Sequence, residues 1–589
     1  MNYLKKTFKL FSSITLTTLI TLFLSTNSYA SYTPPDRSSL LFRTVNSDYI
    51  EEKLRIEGKI PNFINGSIYR NGFGKFEGHN FKFNHLFDSL SLILKFEIVQ
   101  GNVYFQSRLL NSKYYNDSLR EIPLYRTLGG TNPNMNFKEK IEAKMHFMHD
   151  NLNANIIMMK DKLLAISDLA GDIVIDKENL KYQGKYTFKN DFKNDEKFNF
   201  ITSAHPEKWS FDRNIMINYE ADLEKMVYKF YYIDLSDRDD IIEKIYFLDI
   251  PTTRFSYIHS FSLTRRYIIF IEYPFYWDIE SIVDSVVILP SLKWDPKAKT
   301  KIHIISLDYS SPDIITIETE PFFSFHHINA FDFYNNVSDN KYANPDADSD
   351  CTNIFLELIT YPDAKIFESF YMNKLLNLTN KDSLIKGGNY SKIIINIDNR
   401  HKISYFKMFT NNINNETIEM PTVNPDYKGN FYKYFYAFTE SAKLIKVDII
   451  SGNVIEWKKI KHIPSEPIFI PYNNYNNKTF NRPSQNYANA NNNNTNPNGS
   501  NSCLYDFIDN NIYKSSELYS KYEKYYQRYI KKYGSDFNED DGVIVSVVLD
   551  IINTVSYLLF LDAKTMTEIA KGYMTTHIPL TCHGFYQSN

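Results

Sequence analysis

The stretch Phe323–Phe333, FSFHHINAFDF, sets two histidines side by side in an apolar, aromatic run. Its alternating apolar residues read as a strand, in which successive side chains point to opposite faces, so His326 and His327 cannot serve the same site. At most one of them joins a constellation on a given face.

Runs of the same kind recur along the 589 residues, among them SLTRRYIIFIEYP, KIHIISLDY, TNIFLELITY and GVIVSVVLDI, with turn formers between most of them. Forty-five Tyr, 44 Phe and only 19 Gly favour pleated surfaces, where aromatic and β-branched side chains pack well. Many short strands over several hundred residues, without regular helical intervals, predict an all-β closed or radial architecture, and a β-propeller fits the length best. Two stretches depart from this pattern. Residues from about 472 to 502 are Asn-rich without a core period, and SSELYSKYEKYYQRYIKKYG after them has the spacing of one amphipathic helix. Together, at about 472–536, they read as an insertion in a single domain spanning 31–589.

Residues 1–30 have the form of a secretory signal: lysines at 5, 6 and 9, an apolar run from Leu10 to Leu24, then Ser28-Tyr29-Ala30. The expectation is a mature chain from Ser31 that is exported, secreted or periplasmic. A net charge of −3 argues against a nucleic-acid partner. Three cysteines cannot form a disulfide framework, so the fold must rest on its core.

The chemistry-bearing candidates are histidines. His205 in TSAHP, His259 in YIHSF, His326 and His583 in TCHGF lie far apart, each near a strand edge or turn. Separate blades of a propeller converge on its axis, so such residues can form a metal site that local spacing does not reveal. No HExxH or CxxC pattern supports a zinc protease or zinc ribbon. Four neutral imidazoles on an octahedral metal leave two positions open, which suits iron(II). Carboxylates would then accept the second ring N–H of each histidine and fix its tautomer.

The ordered segments GSIYRNGFGKFEGHNFKFNHLFD, HDNLNANI, TSAHP, YIHSFSLTRRYIIFIEYP, FHHINAFD, IEMPTVNPDYKGNFYKYFYAF, PSEPIFIP and CHGF give the chain a resemblance to the carotenoid cleavage oxygenases from about Leu40 to Phe585. The similarity is to the animal-type branch that includes β-carotene oxygenases and the retinoid isomerohydrolase. It implies a seven-bladed β-propeller with a helical and loop cap over an axial site. It further implies one Fe(II) per chain on His205, His259, His326 and His583, with His327 and His85 structural. By the same resemblance Asp168, Glu419 and Glu466 support His259, His326 and His583. Asp168 stands where the family usually has Glu; one methylene shorter, it is expected to reach its histidine through a water or a shifted backbone.

The activity implied is cleavage of a carbon–carbon double bond of a carotenoid or apocarotenoid by dioxygen, giving carbonyl products such as retinal. The alternatives are retinyl-ester isomerohydrolysis, which uses iron but no oxygen, and a non-catalytic propeller that binds lipophiles. Substrates dissolved in lipid call for peripheral membrane contact. The run from Phe275 to Leu289, flanked by lysines, marks Trp277, Ile288 and Leu289 as its expected surface.

Overall fold

The computed structural model describes residues 37–45, 49–120, 127–131, 136–145, 150–169, 171–189, 201–237, 239, 241–285, 287–307, 313–334, 351–376, 386–398, 402–472 and 539–589. Residues 1–30 and, beyond Tyr472, the Asn-rich stretch with its expected helix lie outside these.

Seven antiparallel sheets follow one another around an axis, each beginning at its inner strand and stepping outward. Blade 1 spans Asn155–Lys185, blade 2 Glu207–Pro251, blade 3 Ser262–Thr319, blade 4 His327–Asn411 and blade 5 Ile418–Trp457. Blade 6 has two short inner strands, His462–Pro464 and Ile468–Pro471, both paired with Gly542–Asp550. Its outer strand comes from the other end of the chain, since Arg55–Gly58 pairs with Glu568–Tyr573.

Blade 7 closes the ring. Thr581–Ser588 is its inner strand and pairs with Gly66–Lys75, placing Tyr69 opposite Phe585 and Ser67 opposite Gln587. The backbones meet closely there: a Cβ on Gly584 would stand 2.4 Å from the Tyr69 carbonyl oxygen, so no larger residue fits without displacing a strand. Ends that meet inside two blades leave the propeller no unpaired seam.

The strand composition explains the packing. In Asn389–Asp398, NYSKIIINID, the strand lies between two neighbours in blade 4, and Ile393 and Ile395 have no exposed surface. Over one end of the ring lie short helices, Ile279–Asp284, Ile366–Ser369 and Met372–Leu376, and a hairpin pairing Phe275–Trp277 with Leu292–Trp294. Among the described residues no helix is long and apolar enough to cross a membrane.

The cap corrects one expectation. Trp277, Ile288 and Leu289 do not face outward; they are 5%, 4% and 9% exposed and belong to the core. The Ile288 and Leu289 amides bond the carbonyls of Thr127 and Leu128 at 2.9 and 2.7 Å, which turns this run inward as a roof.

Ile68, fully buried between blades 6 and 7, tests the closure. Ile68→Ala should cost about 3 kcal/mol of unfolding free energy. A urea midpoint unchanged from wild type would mean that this seam does not hold the ring.

Candidate metal centre

The inner strands of blades 2, 3 and 4 begin immediately or shortly after His205, His259 and His326, and the inner strand of blade 7 carries His583. Each histidine therefore sits where its blade meets the axis. One ligand atom from each of the four falls within 4.8 Å of the others. The Nε2 atoms of His205 and His259 are 3.0 Å apart, and those of His326 and His583 are 3.1 Å apart.

Three carboxylates surround this cluster. Asp168, which follows the second strand of blade 1, places its two oxygens 2.9 and 2.7 Å from His259 Nδ1. Glu419, on the inner strand of blade 5, is 2.6 Å from His326 Nδ1. Glu466, between the two inner strands of blade 6, is 2.7 Å from His583 Nδ1.

The Asp168 contact is direct, so of the two routes expected for the shorter side chain no bridging water is needed. Its position is held by two further bonds: the Thr202 amide donates to the Asp168 carbonyl at 3.0 Å, and the Ala204 amide donates to its carboxylate at 3.0 Å.

Each carboxylate has a second partner that composition could not single out. The Tyr257 hydroxyl donates to Asp168 at 2.6 Å, and the Tyr361 hydroxyl donates to Glu419. Arg70, 1% exposed, donates to the Glu466 carbonyl at 2.9 Å and the Cys582 carbonyl at 2.8 Å, and lies 3.4 Å from the Glu466 carboxylate. It ties Glu466 to the strand of His583. A usable signal exists only for Tyr257, which lies two residues before His259 and so shares its face in an extended segment.

The electrostatics fix the tautomers. Burial pulls His326 below the ordinary histidine range, against the opposing pull of Glu419. Burial, reinforced by the three neighbouring rings, pulls His205 well below it. Burial pushes Glu419 up, but His326 and the Tyr361 hydroxyl outweigh it and hold the carboxyl below its usual value. With Nδ1–H of His326 and His583 directed to carboxylates, both Nε2 atoms present lone pairs, and these face each other at 3.1 Å. Two lone pairs facing each other at that distance suit a cation bound by both.

The spacing fits one. Imidazole nitrogens bind first-row divalent ions at about 2.1 Å, and neighbouring corners of an octahedron of that radius are about 3.0 Å apart. Three carboxylates and one guanidinium carry a formal −2, which a divalent ion balances. The residues present therefore fit a divalent metal.

His327 takes no part. Its ring is turned the other way, between the Ser262 hydroxyl at 2.9 Å and the Tyr273 hydroxyl at 3.0 Å, and burial pulls its pKa down to about 3. His85 bonds the Phe367 carbonyl at 3.0 Å beneath the cap.

An apolar cavity opens from the cluster toward the cap. Its wall includes His259, His326 and His583, then Tyr257, Phe325, Tyr361, Phe367, Phe370, Trp277, Leu289 and Met420. Two of the residues expected to meet lipid, Trp277 and Leu289, thus line this interior space.

A seven-bladed propeller whose hub gathers four histidines inside a ring of carboxylates defines a class that the comparisons identify. Residues 42–480 and 529–588 match the retinal pigment epithelial membrane protein family, and the chain belongs to that family, the carotenoid oxygenases. It is 24% identical to the chicken (Gallus gallus) beta,beta-carotene 15,15'-dioxygenase, over 91% of this chain and 95% of that one. It is 23% identical to Arabidopsis thaliana carotenoid cleavage dioxygenase 8, chloroplastic, over 93% and 85%. The crystal structure of cobalt-substituted Synechocystis ACO superposes with a TM-score of 0.67 at 19% identity, covering 94% of this chain and 99% of that one.

His326→Gln should abolish stoichiometric binding of a divalent ion, whereas His327→Gln should retain it; equal loss in both variants would overturn the assignment of faces. Glu419→Gln should weaken metal binding about 10- to 100-fold by titration calorimetry. Wild-type affinity in that variant would show that the carboxylate does not support its ring.

Proposed function

We propose that this protein is an iron(II)-dependent dioxygenase that cleaves a carbon–carbon double bond of a carotenoid or apocarotenoid to carbonyl products. The observation that carries this reading is the junction of the four-histidine cluster with a cavity of aromatic and aliphatic side chains. Such a wall suits a long apolar polyene, and each buried CH₂-sized unit contributes about 0.8 kcal/mol to holding it.

A polyene offers no group for acid–base attack. Consistent with this, the three carboxylates on the wall are already engaged by histidines. Iron(II) held by the four rings would supply the redox chemistry that dioxygen requires. The protein's own part is positioning. Phe325 stands edge-on to His259 with ring centres 5.6 Å apart, and Tyr257 packs parallel to the same ring at 6.4 Å, so the cavity wall and the cluster move as one body. Asp168, Glu419 and Glu466 keep protons on the outer nitrogens throughout, leaving the inner nitrogens free. The register of the chain along the wall then selects the bond; central cleavage of a C40 carotenoid gives retinal.

The names of the relatives support the substrate class, since they include carotene dioxygenases and a carotenoid isomerooxygenase of Galleria mellonella. A lipid-borne substrate also calls for peripheral contact between the cap and a membrane. Export rests on residues 1–30 alone; among the relatives, the names carry chloroplastic and mitochondrial addresses.

Turnover of β-carotene and shorter apocarotenoids under ¹⁸O₂, with protein purified anaerobically and loaded with iron, should place label in the carbonyl products. Product formation without oxygen uptake would instead establish isomerohydrolase chemistry. Ligand retention without any product would establish a carrier.

A further inference from the structure

Three histidines of the cluster are held through Nδ1 by carboxylates, but among the described residues no carboxylate meets the ring of His205. The chain just after His205 is instead tied to a segment that follows the inner strand of blade 5. That segment, Asn424–Asn430, packs between blades 4 and 2. Asn329 of blade 4 clamps it: its carboxamide oxygen accepts from the Gly429 amide at 2.8 Å, and its NH₂ donates to the Tyr427 and Asn430 carbonyls at 3.2 and 3.3 Å. Blade 2 holds the other side, where Arg213 donates to the Pro425 and Asp426 carbonyls at 2.7 and 2.9 Å and the Ser210 hydroxyl donates to the Gly429 carbonyl at 3.2 Å. Gly429 has φ +76°, and a Cβ there would lie 2.9 Å from Ser210, so both the turn and its close seating need glycine.

Clamped in this way, the segment presents Lys428 to blades 2 and 4. Its Nζ reaches the Glu207 carboxylate at 3.2 Å and the Ile328 carbonyl at 3.3 Å. Glu207 lies two residues after His205, and Ile328 lies two residues after His326. One ammonium thus joins a carboxylate two residues from one cluster histidine to a backbone carbonyl two residues from another. Both side chains are largely buried, 29% and 13% exposed, so the pair is screened little by solvent.

We propose that Lys428 and Glu207 are positioning residues for His205, doing from beneath the hub what the carboxylates do for the other three rings from outside. The inference rests on the metal-centre reading above. Neither residue touches the cavity, so the pair acts on the geometry of the cluster and not on substrate contact.

Cobalt(II) is the probe, because its visible bands report ligand geometry without turnover. The wild-type chain should bind one cobalt ion. Lys428→Met and Glu207→Gln should bind it about tenfold more weakly with a displaced band, in protein whose circular dichroism is that of wild type, and Lys428→Arg should restore both. Glu207→Asp keeps the charge and withdraws it by one methylene; it carries the same test where another variant loses its fold. Cobalt bound at wild-type affinity with an unchanged band in these variants overturns the inference and leaves the metal centre standing. A wild-type chain that takes up no cobalt fails at the earlier step.

Discussion

The rest of this protein is arranged around one electrostatic constraint: imidazole nitrogens from four separate blades converge on one buried point, an arrangement that a divalent cation among them would satisfy. The pair formed by His326 and His583 states it most sharply, because both outer nitrogens face carboxylates and both inner ones face each other at 3.1 Å. A propeller meets the requirement because its inner strands all approach one axis. Local sequence then needs only to place a histidine at the right end of a strand.

The surrounding shells follow from the same demand. Buried carboxylates are costly unless bonded, and here each is bonded twice over. Asp168 has His259 and Tyr257, Glu419 has His326 and Tyr361, and Glu466 has His583 and Arg70. Tyr257 and Tyr361 also stand on the cavity wall, so each serves both the charged shell and the apolar surface. The hydroxyl end of each ring is satisfied by a carboxylate while its face is offered to the cavity. That double use is how a strongly polar centre and a strongly apolar pocket share a boundary.

Some of this was legible in the amino-acid sequence and some was not, for physical reasons. Strand alternation put His326 and His327 on opposite faces, since a period of two allows nothing else, and the resemblance chose His326 between them. The gathering of the four histidines was invisible to spacing: 54 residues separate His205 from His259, and 257 separate His326 from His583. Resemblance supplied what spacing could not. The run from Phe275 to Leu289 was misread because an apolar segment has the same composition whether it lies in lipid or lines an internal cavity; only the hairpin and its bonds to Thr127 and Leu128 decide. The direct contact of Asp168 with its histidine was equally hidden, since sequence does not give the separation of the two segments. Among 45 tyrosines nothing singled out Tyr361.

The most direct measurement is X-ray absorption at the iron edge on anaerobically purified, iron-loaded protein, with the metal quantified in the same sample. One ion per chain surrounded by four imidazole nitrogens is the predicted result. A protein that retains no stoichiometric iron, or a spectrum in which carboxylate oxygens replace the imidazole shell, would contradict the account at its centre.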